Sequence, residues 1–361
     1  MNAFIPAALA FIVCYATLRW LLRSKLARTT LDQPNHRSLH TTPTPRIGGL
    51  GVVAGVLGGG AVIVANLLEN PPTPNLQILL LLLALLSLLS GFCFIDDKRG
   101  LSAAVRLPVH LLVALLWVSC ILNVSFLATF FIKVGAGDTA FHFLQLTIEH
   151  ALAHPLLLIT LTFGLGWMMN LYNFMDGANG LAGGMAVFGF GAYSVALYFS
   201  GQPALAAFAL AIAASALAFL CFNFDPARIF LGDVGSISLG FLAGALGLWG
   251  WQSAAWPAWF PLLVFSPFIV DATVTLFARA LCGEKVWQAH RDHAYQRLIR
   301  MGWSHQRLAL SVYALMAACA ASALVLRVAP SASVMAGIAF WILIYTALLG
   351  TVMWRWHGLK L

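Results

Sequence analysis

Twelve acidic residues stand among 361, and their rarity in so apolar a chain lets each be weighed. Asp96 and Asp97 close an apolar run. Adjacent carboxylates repel, which raises at least one pKa unless a cation sits nearby. Such a pair can move a proton or hold a cation. It can equally be a polar helix terminus with Lys98 and Arg99 as counter-ions.

The stretch Asn170-Leu-Tyr-Asn-Phe-Met-Asp-Gly-Ala-Asn-Gly180 places Asn170, Asn173, Asp176 and Asn179 three residues apart. A helical backbone would make them one drifting stripe of oxygen ligands and amide donors. Gly177, Gly180, Gly183 and Gly184 permit close backbone approach. Packing between membrane helices accounts for the glycines, but not for four polar residues.

Phe230-Leu-Gly-Asp-Val-Gly-Ser236 opens another apolar run. Asp233 there can be a helix cap. It can also hold a metal beside a phosphate, since amides at a helix start favour anions and Mg²⁺ takes one or two carboxylates plus phosphate oxygens. Further on, His290-Arg-Asp-His-Ala-Tyr-Gln-Arg-Leu-Ile-Arg300 would put His290, His293, Arg297 and Arg300 on one helical face. A cationic face can clamp a pyrophosphate. Zinc on His-x-x-His is the rival, without a cysteine or carboxylate at a compelling spacing, and a solvated basic loop is the plain alternative. Asp32 to His40 and Pro45-Arg46-Ile47-Gly48-Gly49 read alone as basic loop and turn residues.

The elements that must carry these residues are membrane helices. Hydrophobic residues make up 61% of the chain and charged residues 9%, far below the roughly 25% of soluble domains. Apolar runs long enough to span a bilayer are expected near 2–22, 48–67, 77–95, 105–122, 154–170, 180–199, 204–222, 236–251, 259–280, 308–326 and 333–353. The expected fold is all-α, a polytopic membrane protein of about eleven spans forming a single domain over residues 1–361. The first run lacks a basic n-region and a cleavage site, so it reads as a retained helix. The six cysteines are scattered and read as small buried apolar residues.

Eleven spans alternate the connections between two sides. Of the 20 Lys and Arg, 18 then fall near one side, leaving Lys133 and Arg327 for the other. The rich side is expected to be cytoplasmic, with the N-terminus outside and the chemistry-bearing loops within. The net charge of +8 is therefore mostly topology. It suits anionic lipid head groups and phosphorylated substrates. Nucleic acid is not an expected partner, because no soluble basic domain exists to bind it.

In this order, the segments resemble the polyprenyl-phosphate N-acetylhexosamine-1-phosphate transferase family. The carriers are Asp96-Asp97, Asn-x-x-Asn-x-x-Asp-Gly-x-Asn-Gly-Leu and Gly232-Asp233-x-Gly-Ser, with the early Asp-x-Pro-Asn-x-Arg and Pro-x-x-Gly-Gly elements. The resemblance implies attack of undecaprenyl or another polyprenyl phosphate on a UDP-N-acetyl sugar, with release of UMP, at the cytoplasmic face of a bacterial inner membrane. It implies Mg²⁺, or Mn²⁺ in its place, on Asn173 and Asp233. Asp96, Asp97 and Asp233 would be catalytic, with Asp96 and Asp97 contacting or deprotonating the lipid phosphate. Asn179 and Phe230 would hold uridine, Asn170 and Asp176 would join the substrate site, and Arg106 would touch phosphate. His290, His293 and Arg297 would grip pyrophosphate and sugar.

The last loop lacks the tripled His of the muramoyl-pentapeptide enzymes and the close His pair of the N-acetylglucosamine enzymes. It looks more like O-antigen-initiating members that use 6-deoxy sugars such as N-acetylfucosamine or N-acetylquinovosamine. A homodimer is compatible with the resemblance. A transporter, the alternative from another class, would place its polar sites near the membrane midplane, where only Asp271 is expected. A non-catalytic assembly factor would leave the ordered Asp and Asn residues without a purpose.

Overall fold

A computed structural model describes residues 3–34, 39–40, 42–69, 74–122, 154–285 and 290–358. Its helices are α1 (Phe4–Arg23), α2 (Lys25–Thr29), α3 (Gly48–Leu68), α4 (Pro74–Arg99), α5 (Ala103–Leu122), α6 (Pro155–Phe174) and α7 (Leu181–Phe199). They continue with α8 (Pro203–Asn223), α9 (Gly232–Gln252), α10 (Trp259–Val264), α11 (Ser266–Leu281), α12 (Ala294–Arg300), α13 (His305–Leu326) and α14 (Ser331–Gly358). Ten of these are long and apolar enough to cross a membrane. The protein is an all-α, multi-pass membrane protein.

Ten of the eleven expected spans appear as single helices. The expected span at 259–280 is instead two helices, α10 and α11, meeting at Phe265. Pro267 explains the break. It has no N–H to give, and its ring would crowd the carbonyl of Leu263 four residues back. The Ser266 hydroxyl donates to that carbonyl instead, at 2.7 Å.

The core lies around α8 and α9. In α9, 83% of the apolar stretch is buried, against 6% in α14, which therefore presents itself to lipid. α8 packs on α7, α1 and α3, while α9 packs on α6, α4 and α3. The crossing of α3 and α9 is backbone on backbone: a side chain on Gly49 would run into the main chain of Gly235. That contact brings the residues just before α3 to the start of α9.

Two short strands, β1 (Leu31–Asp32) and β2 (Thr44–Pro45), pair antiparallel, with Leu31 opposite Pro45. The chain then runs along the segment that precedes α9. Phe230 donates its N–H to Pro45, while Gly48 and Gly49 donate to Phe230 and Leu231, at 2.7–2.8 Å.

The connections expected on one side do gather at one end. Arg46 reaches Asp97 and Asp233, Asn179 reaches Asp225, and His305 approaches the Leu39 carbonyl. Arg327 stands at the opposite end, donating to Ala196 O, Ser200 Oγ and Ala255 O. Lys133 lies outside the described residues, as do residues 35–38 of the early loop.

Candidate functional site

Asp97 sits at the last turn of α4 and points at the start of α9. Its Oδ2 accepts the N–H of Val234 at 3.2 Å and its Oδ1 that of Asp233 at 3.4 Å. A carboxylate from another helix thus caps the free amides and positive dipole end of α9. Gly232 makes the approach feasible. Its φ of +73° turns the chain left-handed, which disfavours a side chain, and a Cβ there would press on Arg46 O and Asp97.

Asp233 is the hub. Its Oδ1 accepts from Arg46 Nη2 at 2.8 Å and from Asn173 Nδ2 at 3.0 Å, and its Oδ2 lies 3.4 Å from Arg106 Nη1. Arg46 Nη2 also stands 2.7 Å from Asp97 Oδ1. Asp96 is buried, accepts the Leu101 N–H at 2.8 Å and lies 3.5 Å from Arg106. The Asp pair is therefore balanced by Arg46 and Arg106. Lys98 and Arg99 are not its counter-ions: Lys98 rests over the Phe94 ring at 4.2 Å. Burial by itself would lower the Arg46 guanidinium, but Asp233 and Asp97 outweigh it and hold its pKa above the ordinary value.

The stripe expected over residues 170–179 is interrupted. α6 ends at Phe174, and the chain turns through Gly177 before Gly180 adopts a φ of +78°. Asn173, Asp176 and Asn179 nevertheless face one cavity, brought together by the turn and not by helical spacing. Asn170 is not among its lining residues; its amide is tied back to Gly166 O at 2.7 Å. Asn173 also donates to Ser236 Oγ at 2.8 Å, which locks α6 to α9. Loss of water around Asp176 pushes its carboxyl above the usual range; Arg46 opposes this, and Asp233 and Asp97 add to it.

The cavity measures about 600 Å³. Beside Asn173, Asp176, Asn179, Phe230 and Asp233 it is lined by Asp32, His40, Arg46, Gln296 and His305. Phe230 meets the His40 ring edge-on at 4.8 Å. Asn179 gives its amide to Asp225 at 2.8 Å and its backbone N–H to His305 Nδ1 at 3.2 Å. One wall is thus aromatic and amide-bearing, and the other is a carboxylate and guanidinium cluster. That division suits a ligand with a planar ring at one end and phosphates at the other.

The expected cationic helix face around residue 290 does not form. α12 begins only at Ala294, and His293 precedes it with extended backbone (φ −57°, ψ 147°). His290 and His293 still meet, ring to ring at 4.8 Å, but His293 is drawn onto Phe174 and Tyr295. Arg297 and Arg300 lie over the Trp356 ring. Neither histidine nor Arg297 is among the cavity-lining residues; Gln296 and His305 represent this part of the chain there. Burial first, then the neighbouring His293 and Arg279, lower the His290 pKa to about 4.

Arg46, His40, Asp225, Gln296 and His305 carry no role in the sequence reading. Only Arg46 had a signal, as the cation inside Pro-Arg-Ile-Gly-Gly. Asp271, expected deep in a span, instead accepts backbone N–H groups from Ala294 and Tyr295 at 2.8 and 3.1 Å.

The chain is similar to a Bacillus subtilis protein named probable undecaprenyl-phosphate N-acetylglucosaminyl 1-phosphate transferase, 28% identical over 341 residues, 90% of this chain and 86% of the relative. A Mycobacterium tuberculosis decaprenyl-phosphate N-acetylglucosaminephosphotransferase is 29% identical, covering 88% of this chain and 81% of its own. A phospho-N-acetylmuramoyl-pentapeptide-transferase of Staphylococcus saprophyticus is 24% identical, over 85% and 92%. The family described as glycosyl transferase family 4 matches residues 78–250, a stretch that holds Asp96, Asp97, Asn173 and Asp233 together. That match and the names of these relatives support a place for the chain among the polyprenyl-phosphate N-acetylhexosamine-1-phosphate transferases.

Proposed function

We propose that this protein transfers an N-acetylhexosamine-1-phosphate from a UDP-sugar to undecaprenyl phosphate. An oxygen of the lipid phosphate bonds to the β-phosphorus as the bond from that phosphorus to UMP breaks. The product, a lipid-pyrophosphoryl sugar, initiates O-antigen or another surface polysaccharide. The observation that carries this reading is a cavity lined by Asp233, Arg46, Phe230 and Asn179, with Asp96, Asp97 and Arg106 paired to Arg46, Asp233 or each other just behind its wall.

Uridine stacks on Phe230 and meets Asn179, which leaves the pyrophosphate beside Arg46 and Asp233. Asp96, next to Arg106, receives the lipid phosphate. His290 and His293 lead into α12 and Arg297 belongs to it, and they support the sugar end through Gln296. The gathering of Lys and Arg supports a cytoplasmic position for this end, in a protein of the bacterial inner membrane.

At the junction itself three carboxylates, Asp96, Asp97 and Asp233, pair with two guanidiniums, Arg46 and Arg106. Hard oxygen donors with a formal excess of negative charge fit Mg²⁺, and Mn²⁺ by the same donors. Asp233 and the amide oxygen of Asn173 would hold it. When bound, the ion screens donor and acceptor phosphates from each other. Both oxygens of Asp97 and one of Asp233 are engaged by Arg46 or backbone N–H groups, which supports direct attack by the lipid phosphate over an aspartyl intermediate.

Transport is not favoured, because the deep carboxylate Asp271 is committed to capping α12. The names of the relatives support N-acetylglucosamine as the sugar, and the divergent last loop supports a 6-deoxy N-acetyl sugar. Purified protein incubated with undecaprenyl phosphate, Mg²⁺ and a panel of UDP-N-acetyl sugars, with UMP as readout, decides. One productive sugar, lost in Asp233→Ala and in EDTA, is the expected result. No UMP from any sugar in folded protein would overturn the reading.

A further inference from the structure

α12 is only seven residues long, too short to persist on its own. It is held from two sides. On the first, Asp271 of α11 is buried and spends its whole carboxylate on this contact and on its own helix. Oδ1 accepts the Ala294 N–H at 2.8 Å and the Thr275 hydroxyl at 3.2 Å, while Oδ2 accepts the Tyr295 N–H at 3.1 Å. His293 Nδ1 lies 3.6 Å away.

On the second side, the Tyr295 hydroxyl donates to Phe174 O at 2.9 Å and lies against Gly177, where any Cβ would collide with it. The His293 ring packs on Phe174 at 6.2 Å. Gln296 links the two sides to the cavity. Its Oε1 accepts the His293 N–H at 3.3 Å, and its side chain is part of the cavity lining. Phe174 and Gly177 bracket Asp176 and follow Asn173, so α12 rests on the turn that presents these two residues.

We propose that Asp271 is a positioning residue for the nucleotide-sugar donor: from within the broken span it seats α12 on the Phe174–Gly177 turn, and so sets where Gln296, Asn173 and Asp176 meet the donor. Asp271 itself touches no substrate. The acceptor side, Asp96 with Arg106, belongs to α4 and α5 and does not depend on this contact. The inference rests on the transferase reading for its kinetic consequence but not for its structural one.

Asp271→Asn keeps the shape but turns an NH₂ toward one of the two N–H donors. Gly177→Ala pushes on Tyr295 from the opposite side. Two measurements on the full-length protein in detergent test the proposal. Hydrogen exchange at Ala294–Arg297 should quicken at least about tenfold in Asp271→Asn, the size expected from losing a charge-assisted bond, with α9 and α13 unchanged. Both variants should raise the donor KM by a similar factor while leaving the acceptor KM within about twofold.

A merely structural role would lower the melting temperature and move both KM values together. That outcome, or unchanged exchange in Asp271→Asn, overturns the proposal. If wild type releases no UMP, the transferase reading fails, and the exchange result alone decides the positioning of α12. If Asp271→Asn does not fold, Gly177→Ala decides: a raised donor KM alone supports the proposal, and an unchanged one sinks it.

Discussion

Asp97 and Asp233, 136 residues apart in the chain, share one nitrogen of Arg46, which stands 2.7 Å from the first and 2.8 Å from the second. Each carboxylate also touches the start of α9, Asp233 by belonging to it and Asp97 by capping it. The ends of α4 and α9 and the residues before α3 are therefore one electrostatic unit.

Removing the cation should be costlier than removing either contact alone. Arg46→Ala leaves two neighbouring carboxylates unscreened, so one must take up a proton or draw in another cation. We expect UMP release to fall by about 100-fold or more, since bonds to charged groups are worth about 1.5–3 kcal/mol each. Arg46→Lys keeps the charge and enough N–H donors for two acceptors, but on a compact, strongly hydrated ammonium, and should recover only part of it.

Phe230 is expected to act on binding of the base and not on chemistry. Phe230→Ala should raise the donor KM about 10- to 100-fold, in line with roughly 1–3 kcal/mol per stacked base, with little change in kcat. Phe230→Trp should keep most of the affinity. A fall in kcat at unchanged KM would place the base elsewhere.

His290 supplies a pH signature in stability. Its folded pKa of about 4 lies below the ordinary 6.5. Between these values the unfolded chain binds more protons than the folded one, so stability falls as pH drops from 6.5 toward 4. Melting temperatures of His290→Gln should therefore fall less than those of wild type across that window, and the two should run parallel from pH 7 to 8.

Arg327 separates stability from activity. One of its nitrogens reaches two carbonyls and a hydroxyl at the end opposite the cavity, tying α13 to the end of α7 and to Ala255. Arg327→Met should lower the melting temperature by several degrees, as expected for about 1–3 kcal/mol of lost or stranded hydrogen bonds. Both KM values should stay unchanged. Loss of activity at a temperature where the variant is folded would contradict this.

Much of the architecture was legible in the sequence because a bilayer leaves few choices. Runs of apolar residues must be helices, since lipid offers the backbone no other partner. The segregation of Lys and Arg assigns the connections to two ends, and the described connections around Arg46, Asp97, Asn179, Asp233 and His305 do gather at one of them. The break at Phe265 was the exception, although Pro267 is visible in the sequence. Proline is common in membrane helices, and the Leu263–Ser266 hydroxyl bond that replaces the lost ladder is a geometric fact.

The site was legible as a set of residue types and opaque as an arrangement. Asp96, Asp97, Asn173, Asp176, Asn179 and Asp233 stand out because a charge or amide at the end of an apolar helix is expensive and so calls for a purpose. Their partners do not stand out: Arg46, Gln296, His305 and Asp225 sit in loops where polar residues are ordinary. Spacing misleads at two places, since α6 ends at Phe174 inside the Asn170–Asn179 stripe and α12 begins only at Ala294 inside the His290–Arg300 stretch. By itself the sequence determined the membrane class, the helices and the identity of the acidic groups, all consequences of local hydropathy. Only the tertiary structure decided which cation faces which carboxylate and that Asp271 serves α12, because those contacts join segments that the chain keeps far apart and only packing brings within bonding distance.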